Sequence, residues 1–294
     1  MYRRRLLAPL VTAPLAWLAG CSWLQDADYG GADAPTAHVL DRPVGTAWVL
    51  SSGGPRGFAH VGVIKALTEL GHRPDLVVGA SIGSLVGCLY AAGLTSREIE
   101  KLALEFNTMA VVRPHLGGGE KLSGSGMVAL VNDLLGQRPL ERLPVAMAVV
   151  AMQQTSREVL AFTRGNPGVA VQASCAIEGT LAPVRIRGQA YVDPDLGTPM
   201  PVRQALALGA RRVLAVDVSA HESKAPPGSE RYRAGDLRKR ALTEPEARAA
   251  TFTLHPEFSY YVGLSQEFRE RAIQAGYEQT MAQAAPLKAA FPQG

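Results

Sequence analysis

The 294-residue sequence contains few cysteines, only Cys21, Cys88 and Cys175, and their spacing matches no metal-ligand pattern. It lacks the phosphate-binding spacing G-x-x-x-x-G-K-[ST]. It also lacks a complete dinucleotide fingerprint. In Ser52-Gly53-Gly54-Pro55-Arg56-Gly57 a serine stands where the first glycine is required, and Val78 and Gly79 occupy the place where the next strand should end in an acid. No metal and no cofactor is therefore expected. No internal repeat is visible, which excludes a solenoid. At 47% hydrophobic and 19% charged residues, the chain has the composition of a folded domain able to bury a sizeable core.

A basic field is lacking as well. The formal charge is +4, but three of the 30 basic residues are Arg3, Arg4 and Arg5, and residues 1–20 hold no acid. The remainder carries 27 Lys+Arg against 26 Asp+Glu, so nucleic acid is not an expected partner. The apolar run over residues 6–20 is short and contains Pro9 and Pro14, which argues against a membrane-spanning helix. Basic residues, an apolar run and small residues in that order read as a secretory signal. Its end, Leu18-Ala19-Gly20-Cys21, resembles the lipobox of bacterial lipoproteins, in which the cysteine thiol is diacylated. Residues 1–20 are then a signal peptide, Cys21 a lipid attachment point, and the tethered protein belongs to the bacterial cell envelope. Ser22 follows where an aspartate would favour inner-membrane retention, so the expected site is the outer membrane, facing the periplasm. An ordinary signal peptide or an uncleaved anchor is the alternative.

Residues 21–45 are rich in Asp, Ala, Gly and Pro without periodicity, and are expected to form a tether. From residue 46 short apolar runs alternate with helical stretches, the pattern of a mainly parallel sheet covered by helices. Strands are expected at 46–50, 75–78, 145–152, 158–163, 212–218 and 251–254, and a closing helix over 265–290. Residues 219–250 are polar, contain prolines and carry Arg238-Lys239-Arg240. Their mixed charge favours a solvated surface loop over a membrane-touching flap. Cys88 reads as a small buried hydrophobe, and sequence gives no distance by which to judge a disulfide with Cys175.

Gly79-Ala80-Ser81-Ile82-Gly83 has the G-x-S-x-G spacing of a nucleophile elbow and lies between an expected strand and an expected helix. The glycines permit a sharp turn that presents the hydroxyl at a helix N-terminus. Ser81 needs a base, and no histidine offers itself. His38 lies in the tether, His72 in a turn, His115 beside glycines, His221 in the polar segment and His255 before a proline. His60 opens a helix as a packing or capping residue. The glycine-rich loop suits two uses, a plain tight turn or an oxyanion hole with backbone donors on Gly53 and Gly54.

Taken as a pair, the glycine-rich loop and the serine motif, with Phe58-Ala59-His60-Val61-Gly62-Val63 between them, resemble the patatin-like phospholipases, particularly bacterial and neuropathy-target-esterase-related members. The stretches LSSGGPRGFAHVGVIKAL, ASCAI and YVDPDLGTPMPV carry the resemblance, which runs from about residue 47 to the end. It implies a three-layer α/β/α patatin-like fold with a mainly parallel central sheet, over residues 46–290. It also implies a serine acyl hydrolase with a Ser-Asp dyad, acting on fatty-acyl esters of phospholipids or lysophospholipids. The family aspartate falls on Asp193, and Arg56, Gly57, Gly79 and Gly83 fall on supporting motif positions. Two departures stand out: Asp193 is followed by Pro194 and Asp195 in place of small residues, and Ser52 replaces a glycine. Asp195 would raise the Asp193 pKa if it points inward. A protein that keeps the fold and binds lipid without turnover is the competing expectation.

Overall fold

The structure is a computed structural model that describes residues 27–117 and 119–292. Residues 1–20 and Cys21, the expected signal and lipid attachment point, lie outside the described residues. The strands are β1 (Asp28–Tyr29), β2 (Thr46–Leu50), β3 (Leu76–Ala80), β4 (Arg113–Pro114), β5 (Leu122–Ser123), β6 (Ala146–Gln153), β7 (Val159–Phe162), β8 (Val184–Ile186), β9 (Gln189–Val192), β10 (Arg212–Val216) and β11 (Phe252–Leu254). The helices are α1 (Phe58–Glu69), α2 (Ile82–Ala91), α3 (Ser96–Glu105), α4 (Gly126–Leu134), α5 (Pro167–Ser174), α6 (Val202–Ala207), α7 (Glu230–Ala249), α8 (Gln266–Ala282) and α9 (Ala284–Ala290).

The main sheet has the order β1-β8-β9-β6-β3-β2-β10-β11, with β7 also paired to β6. Pairing is parallel from β6 through β3, β2 and β10 to β11, and antiparallel where β7 and β9 meet β6 and where β8 meets β9. The parallel strands are apolar at nearly every position because both faces are covered. In β2, Trp48 and Leu50 enter one core with α1, α2, α5 and α8, while Ala47 and Val49 enter the other with α6 and the end of α7. The same alternation separates Val77 from Leu76 and Val78 in β3, and Leu214 and Val216 from Val213 and Ala215 in β10. The result is the expected three-layer α/β/α fold with a mixed, mostly parallel sheet.

Three expectations need correction. The tether was expected to reach residue 45, yet β1 pairs in parallel with β8, Ala34 is buried, and Thr36 bridges Arg164. A two-residue strand has no periodicity to read, so its pairing partner alone reveals it. The segment 219–250, expected as a loop, contains the 20-residue helix α7. Its polar sequence is anchored by buried Thr243 and Glu246, the latter accepting from the Arg203 backbone N–H at 2.8 Å and from Arg203 Nη1 at 2.9 Å. The closing helix is two helices, α8 and α9, broken at Gln283. Pro286 has no N–H to offer the carbonyl four residues back, so continuous helix cannot pass through it unchanged.

Helices α1 and α8 approach through glycines. A Cβ on Gly62 would sit 1.9 Å from the Ile273 carbonyl oxygen, and one on Gly276 would sit 2.2 Å from that of Ala59. Neither backbone can yield without separating the helices. Gly276→Val is therefore expected to lower stability by about 3 kcal/mol, the upper range for overpacking. Gly235→Ala in α7, where the nearest atom to the new Cβ is a side-chain nitrogen at 4.0 Å, should instead raise it by roughly 0.5–1 kcal/mol. Urea denaturation of the two variants, read by circular dichroism, checks the opposite signs.

Candidate functional site

The carboxyl ends of β2 and β3 carry the glycine-rich loop and the serine elbow, and both run directly into helices. Ser81 has φ +52 and ψ −125, a conformation that a non-glycine residue adopts only when its surroundings impose it. Its surroundings do so through close packing. A Cβ on Gly83 would lie 2.2 Å from the Leu50 carbonyl oxygen, and one on Gly79 would lie 2.5 Å from that of Gly83. The two motif glycines thus let the first turn of α2 press against the ends of β2 and β3. The Ser81 backbone N–H donates to Ser174 Oγ at 2.8 Å, and Ser174 Oγ donates in turn to the Val150 carbonyl at 2.6 Å. Ser174, at the end of α5, is a site residue that lies within the ASCAI stretch with no local signal to mark its role.

The Ser81 hydroxyl donates to Asp193 Oδ2 at 2.5 Å, and both residues are buried. Asp193 follows β9, and its own N–H donates to the Ala176 carbonyl at 2.9 Å, fixing the carboxylate against the end of α5. Burial pushes its pKa up to about 7, with the charge of Asp195 adding to the rise, while the Ser81 hydroxyl, the Asp195 N–H and Lys239 oppose it. A carboxylate of that pKa is a far better proton acceptor at neutral pH than a solvated one.

Pro194 and Asp195 fit the site. Pro194 opens a short 3₁₀ turn, Pro194–Leu196, at a position where its fixed φ suits the turn and no N–H is called for. The turn aims the Asp195 N–H at Asp193 Oδ1, 2.9 Å away. The Asp195 carboxylate accepts from the Ser52 hydroxyl and from Lys239 Nζ on α7. Serine in place of glycine, aspartate in place of a small residue and the lysine of the polar segment form one hydrogen-bonded set. Lys239 compensates the second negative charge beside the first.

The glycine-rich loop is held from several directions. Arg56 is buried, donates through Nε to the Val218 carbonyl at 2.5 Å and through Nη1 to the Ser259 carbonyl at 2.7 Å, and stacks over Phe258 at 4.3 Å. A Cβ on Gly57 would come within 2.4 Å of Ile82, the residue after the serine, and one on Gly53 within 2.7 Å of the Val218 side chain. Gly54 has open space around it but φ +52, so its demand is conformational. His60 is fully buried with Nε2 2.9 Å from the Ser51 carbonyl, and burial lowers its pKa to about 4, which leaves it neutral. It braces the loop as a packing residue. Cys88 and Cys175 are free thiols. Burial raises the pKa of both, so the Cys175 thiol beside Ser81 and Asp193 stays protonated.

Fold and site together define an α/β protein whose serine elbow is served by a carboxylate rather than a histidine. The pattern of the patatin-like phospholipases matches residues 48–206, more than half of the chain, and the chain belongs to that family. An uncharacterized NTE family protein of Mycobacterium tuberculosis is 31% identical over 180 residues, 60% of this chain and 50% of that protein. The human patatin-like phospholipase domain-containing protein 6 is 30% identical over 184 residues, 60% of this chain and 13% of that protein. The chain thus spans about half the length of the mycobacterial relative and a small part of the human one. Among solved structures, VipD from Legionella pneumophila superposes with a TM-score of 0.57 at 14% identity, covering 89% of this chain and 71% of that one. That likeness concerns the fold.

The raised pKa of Asp193 has a consequence for stability. The unfolded chain releases this proton near pH 4, whereas the native chain keeps it until about pH 7. Between those values the native state binds more protons, so this group's contribution to stability falls as pH rises and reaches its full penalty above 7. Asp193→Asn is expected to raise unfolding free energy at pH 8 by a few kcal/mol, with a smaller gain at pH 5. Urea titrations at the two pH values check the difference.

Proposed function

We propose that the protein is a serine acyl hydrolase that cleaves fatty-acyl ester bonds of phospholipids or lysophospholipids. The observation that carries this reading is the 2.5 Å hydrogen bond from the strained Ser81 to Asp193. Asp193 takes the hydroxyl proton as Ser81 Oγ attacks the acyl carbonyl carbon. The developing oxyanion is stabilised by the backbone N–H groups of Gly53 and Gly54, at the loop that Arg56 and Gly57 hold against the elbow. Collapse of the tetrahedral intermediate expels the alcohol, which takes the proton from Asp193 and leaves an acyl-serine. Asp193 then draws a proton from water, whose oxygen attacks the acyl carbon, and collapse of this second tetrahedral intermediate releases the fatty acid as Ser81 Oγ takes the proton back from Asp193. No metal or cofactor enters these steps.

A lipid substrate is supported by the apolar surface around the site. Ile177, next to the residue whose carbonyl holds Asp193, and Leu196, two residues past Pro194, are large exposed apolar side chains. The reading extends to the N-terminus: residues 1–20 are removed as a signal peptide and Cys21 carries acyl chains that tether the enzyme in a bacterial envelope, at the outer membrane facing the periplasm. Among the described residues no helix is long and apolar enough to cross a membrane. The second reading, a lipid-binding protein without turnover, draws on Asp193-Pro194-Asp195, but the Lys239 contact and the Pro194 turn remove its physical motive.

The purified protein is expected to be labelled by a fluorophosphonate probe and to hydrolyse a short-chain nitrophenyl ester. Ser81→Ala should abolish both, and Asp193→Asn should lower kcat by roughly 10²–10⁴-fold or more. An unlabelled, inactive native protein would favour the non-catalytic reading. Cys21→Ser should shift the expressed protein from the membrane pellet to the soluble fraction, and an unchanged distribution would contradict the lipid tether.

A further inference from the structure

Strands β10 and β11 end side by side beyond the glycine-rich loop, and three side chains converge there. Asp217 directly follows β10, His255 directly follows β11, and His221 lies four residues after Asp217. The Asp217 N–H donates to the Leu254 carbonyl at 2.9 Å, so the parallel ladder itself brings the carboxylate and the histidine together. One ligand atom from each of the three residues lies within 4.8 Å of the others. The His221 and His255 rings stack with centroids 3.8 Å apart, and Lys224 pairs with Glu257 at 3.2 Å to hold the two loops close.

The polar atoms in this corner are incompletely used. Asp217 is buried, and its Oδ1 accepts from the Ser219 N–H at 2.9 Å. His255 Nδ1 is 3.7 Å from Asp217 Oδ2, too far for a hydrogen bond, and this buried nitrogen has no other partner. The Ser219 hydroxyl lies beside the same carboxylate, buried, without a hydrogen bond of ordinary distance and angle. Orphaned buried polar atoms are uncommon in native structures and mark places where an ion or water belongs.

We propose that Asp217, His221 and His255 bind a divalent transition-metal ion, zinc by preference. Two imidazoles and one carboxylate are a donor set for such an ion, with the fourth position of a tetrahedron left to water. Ligand atoms about 2.0–2.2 Å from zinc stand about 3.3 Å apart, so closure asks the two half-buried rings to turn inward by about 1–2 Å. The ion would tie the ends of β10 and β11 together. The Val218 carbonyl, next to Asp217, accepts from Arg56, the Val218 N–H donates to Ser51 Oγ at 3.0 Å and its side chain packs on Gly53, so the ion would brace the glycine-rich loop without touching the serine. This role is independent of the reaction assigned to Ser81, and reverses the sequence-based expectation that no metal is involved. Asp217 and His221 are four residues apart, but His255 reaches them only through the pairing of β10 with β11, so the sequence holds no readable motif.

The test uses tag-free protein stripped with a chelator. Titration with Co²⁺ should give one equivalent of binding with the visible absorption of a low-coordinate cobalt site, and Zn²⁺ should displace it and raise the Tm. His221→Ala and His255→Asn should each weaken Zn²⁺ binding roughly tenfold or more, measured against a competing chromophoric chelator. A His115→Ala control should bind normally. His221→Ala, at a half-buried loop position, keeps the test decisive if His255→Asn unfolds. Absence of a stoichiometric cobalt site, or Zn²⁺ affinity and Tm response unchanged in a folded His221→Ala protein, would overturn the proposal.

Discussion

A serine held at φ +52 between the ends of two parallel strands is the constraint on which the site depends. Such a backbone persists only where neighbouring contacts over-determine it. Here those contacts are the close approach of Gly79 and Gly83 to the backbone around them and the Ser174 hydroxyl bonded to the Ser81 N–H. The sheet is buried on both faces, so the strand ends cannot drift. The hydroxyl is therefore aimed at one place, and Asp193 is there.

A carboxylate can replace histidine as the partner of such a serine only if its basicity is raised, and burial accomplishes this. Burial alone would also invite the carboxylate to remain protonated. The surrounding set balances the two demands. Asp195 adds a second negative charge, its own N–H and Lys239 offset it, and Ser52 links that carboxylate to the glycine-rich loop. Lys239 thereby couples helix α7 to the chemistry. Substitutions that look disruptive one at a time are mutually compensating when seen together.

The elements flanking the serine were legible because they are written in short range. Apolar runs at 46–50, 75–78 and 212–218, each followed by glycine or polar residues, mark strands buried on both faces, and G-x-S-x-G marks the elbow. Asp193 was legible only through resemblance, since nothing local distinguishes it from other aspartates after an apolar run. Lys239 was illegible: 44 residues separate it from Asp195, and the helix carrying it is polar enough to read as a loop. The pairing of β1 with β8 and the meeting of Asp217 with His255 were hidden for the same reason. In these two cases the register of the sheet, rather than any sequence spacing, creates the contact.

In the proposed mechanism Asp193 itself is the proton acceptor for Ser81. The pH dependence of kcat/KM for a short-chain ester tests it most directly, because that quantity reports the ionisation of the free enzyme's essential base. An acid limb with a midpoint near pH 7, set by Asp193, is expected. Asp195→Asn should move that midpoint to lower pH, since it removes a charge that raises the Asp193 pKa, and Lys239→Met should move it to higher pH. A flat profile between pH 5 and 8, or a midpoint unmoved by both substitutions, would contradict it.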